Sequence, residues 1–155
     1  MANHAGGISI VTFVVALAAS MGYYQFIYLP EANAKPILPD EVLNPRETTQ
    51  VQMVEGTVLE SNTKNYVPKE VRGTLGLSNT VVWTNNDGVA HTVTTDDPAY
   101  VDQINGKFDS TTQLGTLIAP GKTFEFTFTK EGEYDYHCDP HPHMRGTVKI
   151  VPNFA

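Results

Sequence analysis

Charged side chains are absent from the first thirty residues, which gives this part of the chain a different character from the rest. Residues 8–29 form a run of 22 mostly apolar residues with three tyrosines near its end, and the first charged residue is Glu31. As a helix, a run of this length measures about 33 Å and crosses a bilayer core of roughly 30 Å. Tyrosine is typical of the membrane interface. The sequence therefore predicts that residues 1–30 are a membrane anchor, with residues 8–29 in the membrane.

A cleaved signal peptide is the alternative interpretation of residues 1–30. Ala32-Asn33-Ala34 has the small-x-small form of a cleavage site, and cleavage after Ala34 would leave a secreted protein. The apolar run is longer than the roughly 7–15 residues of a signal peptide, and no Lys or Arg precedes it, so a retained anchor is favoured. Both interpretations place the rest of the chain on the extracellular or periplasmic side of a prokaryotic membrane.

Residues 31–49 differ from the segments on either side. They contain three prolines and show no hydrophobic period, which is typical of a semi-extended spacer. We expect this Pro-rich spacer to hold a folded domain, residues 50–155, away from the membrane. A domain of that length is large enough for one hydrophobic core.

Short strand-like segments between turn signals fill residues 50–155. The clearest is Lys122–Thr129, in which three phenylalanines alternate with other residues and so share one face. Val51–Leu59 and Thr80–Asn85 are further predicted strands, and Asn86-Asp87-Gly88 marks a turn. No segment after residue 50 has a convincing helical period. About seven strands at this spacing predict an all-β fold, an antiparallel sandwich or a Greek-key barrel.

The charge and cysteine content exclude several classes of protein. Seventeen acidic residues against ten basic ones give a formal net charge of −7, which opposes binding to nucleic acid and suits a basic protein partner. The single cysteine excludes an intramolecular disulfide. It also excludes a zinc or iron–sulfur site with four cysteines.

Potential metal ligands are concentrated in residues 134–146, where Cys138, His141 and Met144 follow the spacing Cys-x2-His-x2-Met. A thiolate, two imidazoles and a weakly bound thioether form the trigonal site that holds copper for electron transfer. The second imidazole must come from a distant strand, and His91 is the candidate. The sequence therefore predicts one copper ion per chain, bound by His91, Cys138, His141 and Met144.

Other functions are compatible with parts of this ligand set. Zinc also binds two histidines and a cysteine, although it has no need of Met144. If Met144 is not a ligand, an open copper site would suit an enzyme that acts on a small molecule such as nitric oxide. Two further alternatives are a fixed subunit of a membrane oxidase complex and a protein that stores or delivers copper.

Three segments carry a resemblance to a known family. Tyr134–Gly146 resembles the short ligand loop of amicyanin, while Val81–Asn85 and His91–Val93 resemble the strand before the first ligand and the surroundings of that ligand. The chain thus resembles a small cupredoxin of the plastocyanin/amicyanin group from about residue 66 to residue 151. The resemblance implies a Greek-key β-sandwich, which would follow the one N-terminal hydrophobic helix predicted from the apolar run. It also implies a type 1 copper protein that carries single electrons and is not an enzyme.

The resemblance assigns roles to individual residues. His91, Cys138 and His141 would be the strong copper ligands, and Met144 would be the weak axial ligand. The side chain of Asn85 would tie the two ligand loops together beside the cysteine. The ring edge of His141 would lie at the surface, where redox proteins dock and electrons pass.

Two further histidines lie close to the predicted ligands. His143 is expected to face solvent beside the copper, and the alternative is that it gates, protonates or competes for the site. His137 precedes Cys138 on a strand, so its side chain is expected on the opposite face of the sheet.

Overall fold

The computed structural model describes residues 4–154, which divide into two compact units between residues 36 and 37. The first unit is helical: α1 spans His4–Tyr23, a π-helical turn spans Tyr24–Tyr28 and α2 spans Leu29–Ala32. From Ser9 to Ala32 it is long and apolar enough to cross a membrane, by length and composition. From residue 10 to residue 28 its large apolar side chains are exposed, which is compatible with a lipid-facing helix.

The second unit consists mainly of short strands. It also has two short helices, α3 at Asp40–Leu43 before the first strand and α4 at Ser110–Leu114 between two strands. The described part of this unit has ten strands: β1 Thr48–Met53, β2 Tyr66–Val67, β3 Glu70–Thr74, β4 Thr80–Asn85, β5 Thr94–Thr95, β6 Val101–Asp102, β7 Gly106–Lys107, β8 Thr123–Thr127, β9 Gly132–Cys138 and β10 His141–Val151.

Two four-stranded sheets form a β-sandwich, which confirms the predicted fold class. One sheet has the strand order β2-β1-β4-β8, the other has the order β3-β10-β9-β5, and β6 and β7 form a separate hairpin. The sheets are mixed rather than antiparallel as predicted, because β1 pairs with β4, and β3 with β10, in parallel. Two strands of one sheet can be parallel neighbours when the chain between them makes a long connection that crosses to the other sheet and back. The strand pattern in the sequence does not indicate in which direction neighbouring strands run.

The first strand is shorter than predicted. It ends at Met53 instead of continuing to Leu59, and residues 54–65 form a loop. Gly56 adopts a left-handed conformation with φ of 79°, which is strained for other residues and turns the chain out of the sheet. This segment is called the 54–65 loop below.

The hydrophobic core lies between the two sheets. Trp83 is completely buried, and its ring centroid lies 5.5 Å from those of Phe108 and Tyr136 and 5.7 Å from that of Phe124. The phenylalanines of the predicted alternating segment are all buried, as expected: Phe124, Phe126 and Phe128. Burying such a side chain stabilises the fold by about 1.5–3 kcal/mol. This aromatic core fixes the strands that carry the site described next.

Candidate metal centre

Two of the predicted ligands flank one tight turn. Cys138 is the last residue of β9, His141 is the first residue of β10, and the two are paired across the turn between these strands. Their side chains converge, with 3.6 Å between Cys138 Sγ and His141 Nδ1. Backbone pairing in this hairpin therefore fixes the positions of both side chains.

The third predicted ligand comes from a segment distant in sequence. His91 forms an isolated β-bridge with Ile118, with N···O distances of 3.1 and 2.9 Å. Its Nδ1 lies 3.7 Å from Cys138 Sγ, and the ligand atoms of His91, Cys138 and His141 all lie within 4.8 Å of one another. His91 and Cys138 are completely buried, whereas His141 is partly exposed.

The chemistry of this cluster fits a copper ion. A thiol with two imidazole nitrogens is a donor set for soft and borderline metals, not for hard cations such as magnesium. Burial lowers the pKa of His141, and nearby His91 and His143 lower it further, so the ring stays neutral and able to bind a metal. Burial raises the pKa of the Cys138 thiol, so metal binding would release a proton from it.

Met144 is the fourth predicted ligand. It lies on β10, three residues after His141, and is completely buried in the same core cluster as Cys138. This location is compatible with an axial ligand. The role of Met144 as a ligand stays a prediction.

Asn85 is hydrogen-bonded to the segments that hold His91. Its side-chain amide donates to the carbonyl oxygens of Val89 at 2.7 Å and Ile118 at 2.8 Å, and its oxygen accepts from the N–H of Asp87 at 2.9 Å. These bonds fix the turn before His91 against the Ile118 segment. The predicted tie from Asn85 to the loop of the cysteine stays a prediction.

Thr92 makes the bonds that join the two ligand segments, and the sequence analysis did not assign it this role. Its N–H donates to Cys138 Sγ at 3.3 Å, and its hydroxyl accepts from the N–H of Asp139 at 2.8 Å. The signal available in the sequence was its position directly after His91. Its hydrogen bond to the sulfur is an interaction that tunes metal sites of this kind.

A buried carboxylate lies behind His91, and this was also missed. Asp87 Oδ2 is 3.0 Å from His91 Nε2 and accepts a hydrogen bond of 2.6 Å from the Thr57 hydroxyl. Burial raises the pKa of Asp87, but hydrogen bonds from Thr57, His91 and two backbone N–H groups outweigh it and hold that pKa well below its usual range. The carboxylate is therefore ionised at neutral pH. In the sequence, Asp87 was explained as a residue of the turn at Asn86-Asp87-Gly88, and so it was not considered for the site.

The two remaining histidines have defined partners. His143 is partly buried, and its Nε2 donates to the carbonyl oxygen of Thr57 at 2.7 Å, so it does not simply face solvent. Its role at the site stays a prediction. His137 lies on the opposite face from Cys138, as expected, and its Nδ1 is hydrogen-bonded to Asp96.

Comparison with known proteins matches this architecture. The family of copper binding proteins described as the plastocyanin/azurin family matches residues 53–151. Amicyanin from Paracoccus denitrificans is 28% identical over 116 residues, which cover 73% of this chain and 81% of amicyanin. Chloroplastic plastocyanin from Chlamydomonas reinhardtii is 34% identical over 92 residues, 59% of this chain and 61% of the plastocyanin. The solved structure of a purple cupredoxin from Nitrosopumilus maritimus is 29% identical, with a TM-score of 0.53 over 66% of this chain and 99% of that one.

Proposed function

Because the chain belongs to the plastocyanin/azurin family of copper-binding proteins, we propose that it carries single electrons between redox partners while tethered to a membrane. The observation that carries this proposal is the His91–Cys138–His141 cluster, which fits a type 1 copper site. Amicyanin and plastocyanin relatives support an electron carrier rather than an enzyme.

Rigidity is what these residues contribute to electron transfer. Bound copper supplies the one-electron redox couple. The protein holds its ligands through strand pairing at Cys138 and His141 and through the bridge between His91 and Ile118. Ligands fixed in one arrangement need little rearrangement when the charge of the site changes. The completely buried His91 and Cys138 also exclude water from the inner side of the cluster.

His141 is the proposed point of electron entry and exit. It is the partly exposed member of the cluster, and exposed apolar residues lie on the segments beside it. Pro140 and Pro142 flank His141, Val89 lies two residues before His91, and Leu117 precedes the bridge at Ile118. Such a rim suits brief, largely non-polar contact with a redox protein. The net charge of −7 would steer a basic partner toward this protein.

The helix from Ser9 to Ala32 is the proposed membrane anchor. Anchoring through it would leave the copper domain on the extracellular or periplasmic side, and residues 31–49 would act as the spacer. Cleavage after Ala34 is the alternative. A retained anchor would leave the N-terminal segment on the mature protein, whereas cleavage would make Lys35 its first residue.

Membrane attachment is tested with the full chain expressed in a prokaryotic host. We expect the protein in the membrane fraction after an alkaline wash, with its N-terminal segment intact. Val14→Asp combined with Leu17→Asp should release most of it, because each charge at a helix centre costs about 2.5–3.5 kcal/mol of insertion free energy. Val14→Leu with Leu17→Val is the matched control and should stay bound. A mature protein that begins at Lys35 would show cleavage instead.

Electron carriage and small-molecule chemistry are separated by one optical experiment on the copper-loaded full chain in detergent. We expect a single reversible one-electron titration and no spectral change on adding nitric oxide, because Met144 would occupy the axial side. Met144→Leu keeps the side-chain volume but removes the sulfur, and should alter the spectrum and allow nitric oxide to perturb it. A nitric oxide response of the wild-type protein would instead favour the open-site enzyme.

A further inference from the structure

We infer that Asp87, held in place by Thr57, is a positioning residue that acts through His91 to stabilise the oxidised site and so lower its reduction potential. The inference rests on the proposed function, since it concerns the same copper site. It assigns a redox role to a carboxylate that lies behind a ligand and does not itself face the cluster.

The His91 ring has two distinct sides. Its Nδ1 faces the cluster, 3.7 Å from Cys138 Sγ, while its Nε2 lies 3.0 Å from Asp87 Oδ2. With Nδ1 bound to a metal, the ring proton must reside on Nε2, where the carboxylate accepts it. A carboxylate partner of this kind fixes the tautomer and ring orientation and makes the imidazole a more basic ligand.

Asp87 cannot turn away from His91. The backbone N–H groups of Gly56 and Gly88 donate to its Oδ1 at 3.1 and 2.7 Å, and the Thr57 hydroxyl donates to its Oδ2 at 2.6 Å. The Thr57 hydroxyl has one proton, so once it donates to Asp87 it cannot also donate to His91. Two acceptors lie within reach of the Nε2 proton of His91, Asp87 Oδ2 at 3.0 Å and the Thr57 hydroxyl oxygen at 3.1 Å, and the charged carboxylate is the stronger of the two.

The charge of Asp87 acts in a site that excludes water. The side chain is only 6% exposed, and Thr57 and His91 are completely buried. Charges interact more strongly in such surroundings than in water because solvent does not screen them. Cu(II) carries one more positive charge than Cu(I), so a nearby fixed negative charge stabilises the oxidised form more and lowers the reduction potential.

The 54–65 loop links this carboxylate to the other side of the site. The hydroxyl of Thr57 contacts Asp87 and lies 3.1 Å from His91 Nε2, while its carbonyl oxygen accepts from His143 Nε2 at 2.7 Å. Thr57 is thus hydrogen-bonded to Asp87, which lies behind His91, and to His143, which lies on β10. Gly56 and Thr57 of this loop both donate to Asp87 and so hold the carboxylate in its buried position.

The test is the reduction potential of the Asp87→Asn variant of the copper-loaded full chain. Asparagine keeps the size of the side chain but removes its charge. We expect the equilibrium constant for reduction to rise at least about tenfold, which corresponds to about 59 mV for one electron. Asp102→Asn is the matched control, because Asp102 is 4% exposed and accepts hydrogen bonds from Thr129, Ile104 and Asn105 rather than from a histidine. It should change the equilibrium constant by much less.

A second measurement on the wild-type protein keeps the inference testable if Asp87→Asn does not fold. In the reduced, diamagnetic protein, proton NMR should show the His91 Nε2–H as a downfield, slowly exchanging signal. Rapid exchange of that proton would overturn the inference. So would an Asp87→Asn variant whose reduction potential equals that of the wild type. In either case the proposed function stays intact, provided that the wild-type protein shows a reversible one-electron couple. A wild-type protein without a reversible one-electron couple would overturn both.

Discussion

Replacement of Cys138 by serine is expected to abolish the intense visible absorption of the copper-loaded protein and to weaken copper binding. Serine has nearly the same shape, but its hydroxyl does not ionise at neutral pH and provides no thiolate. The sulfur of Cys138 is completely buried and lies 3.6–3.7 Å from both histidine nitrogens, and no other thiol can replace it because Cys138 is the single cysteine of the sequence. The loss of copper affinity should exceed the roughly 10–100-fold typical of residues around a metal site that are not themselves ligands.

The measurement is the optical spectrum together with a competition titration against a copper chelator. His137→Gln is the matched control, because His137 adjoins Cys138 in sequence but its side chain lies on the opposite face of β9. That variant should retain the absorption. A Cys138→Ser protein that keeps both the colour and the affinity would show that the thiolate is not a ligand.

Replacement of Trp83 by alanine is expected to cause a large loss of stability. The side chain is completely buried, and its ring packs on Phe108, on Phe124 of the same sheet and on Tyr136 of the other sheet. Removing a buried tryptophan typically costs about 3–5 kcal/mol, a large part of the roughly 5–15 kcal/mol that stabilises a domain. The midpoint of thermal unfolding should fall by roughly 10–20 °C.

Circular dichroism of the copper-free full chain in detergent measures this effect without relying on the fluorescence of the lost tryptophan. Phe154→Ala is the control, because Phe154 is 93% exposed and its loss should change the free energy of unfolding by less than about 0.5 kcal/mol. A Trp83→Ala protein within 1 kcal/mol of the wild type would show that the aromatic contacts are not what holds the sheets together.

Local spacing made part of this molecule predictable. The alternating phenylalanines identified a strand face that is buried. The Cys-x2-His-x2-Met spacing predicted ligands on one tight loop, and the structure pairs Cys138 with His141 across the turn between β9 and β10. His91 could be added because few histidines remained and one of them followed a predicted strand and turn. In each case the signal lies within about ten residues.

Contacts between distant segments were not predictable in the same way. The parallel pairings of β1 with β4 and of β3 with β10 depend on how long connections cross between the sheets. Thr57 lies in a segment that looks like a strand, and it reaches the site only because the chain leaves the sheet at Gly56. Asp87 fits a turn by its sequence context, and nothing local shows that its carboxylate lies against His91.

The proposed function depends on a type 1 copper site formed by His91, Cys138 and His141. The most direct test is the visible and electron paramagnetic resonance spectrum of the full chain loaded with Cu(II) in detergent. We expect an intense thiolate-to-copper absorption together with a narrow copper hyperfine splitting. A colourless protein, or one with only a weak tetragonal Cu(II) signal, would contradict the proposal, because Cys138 would then not be a ligand.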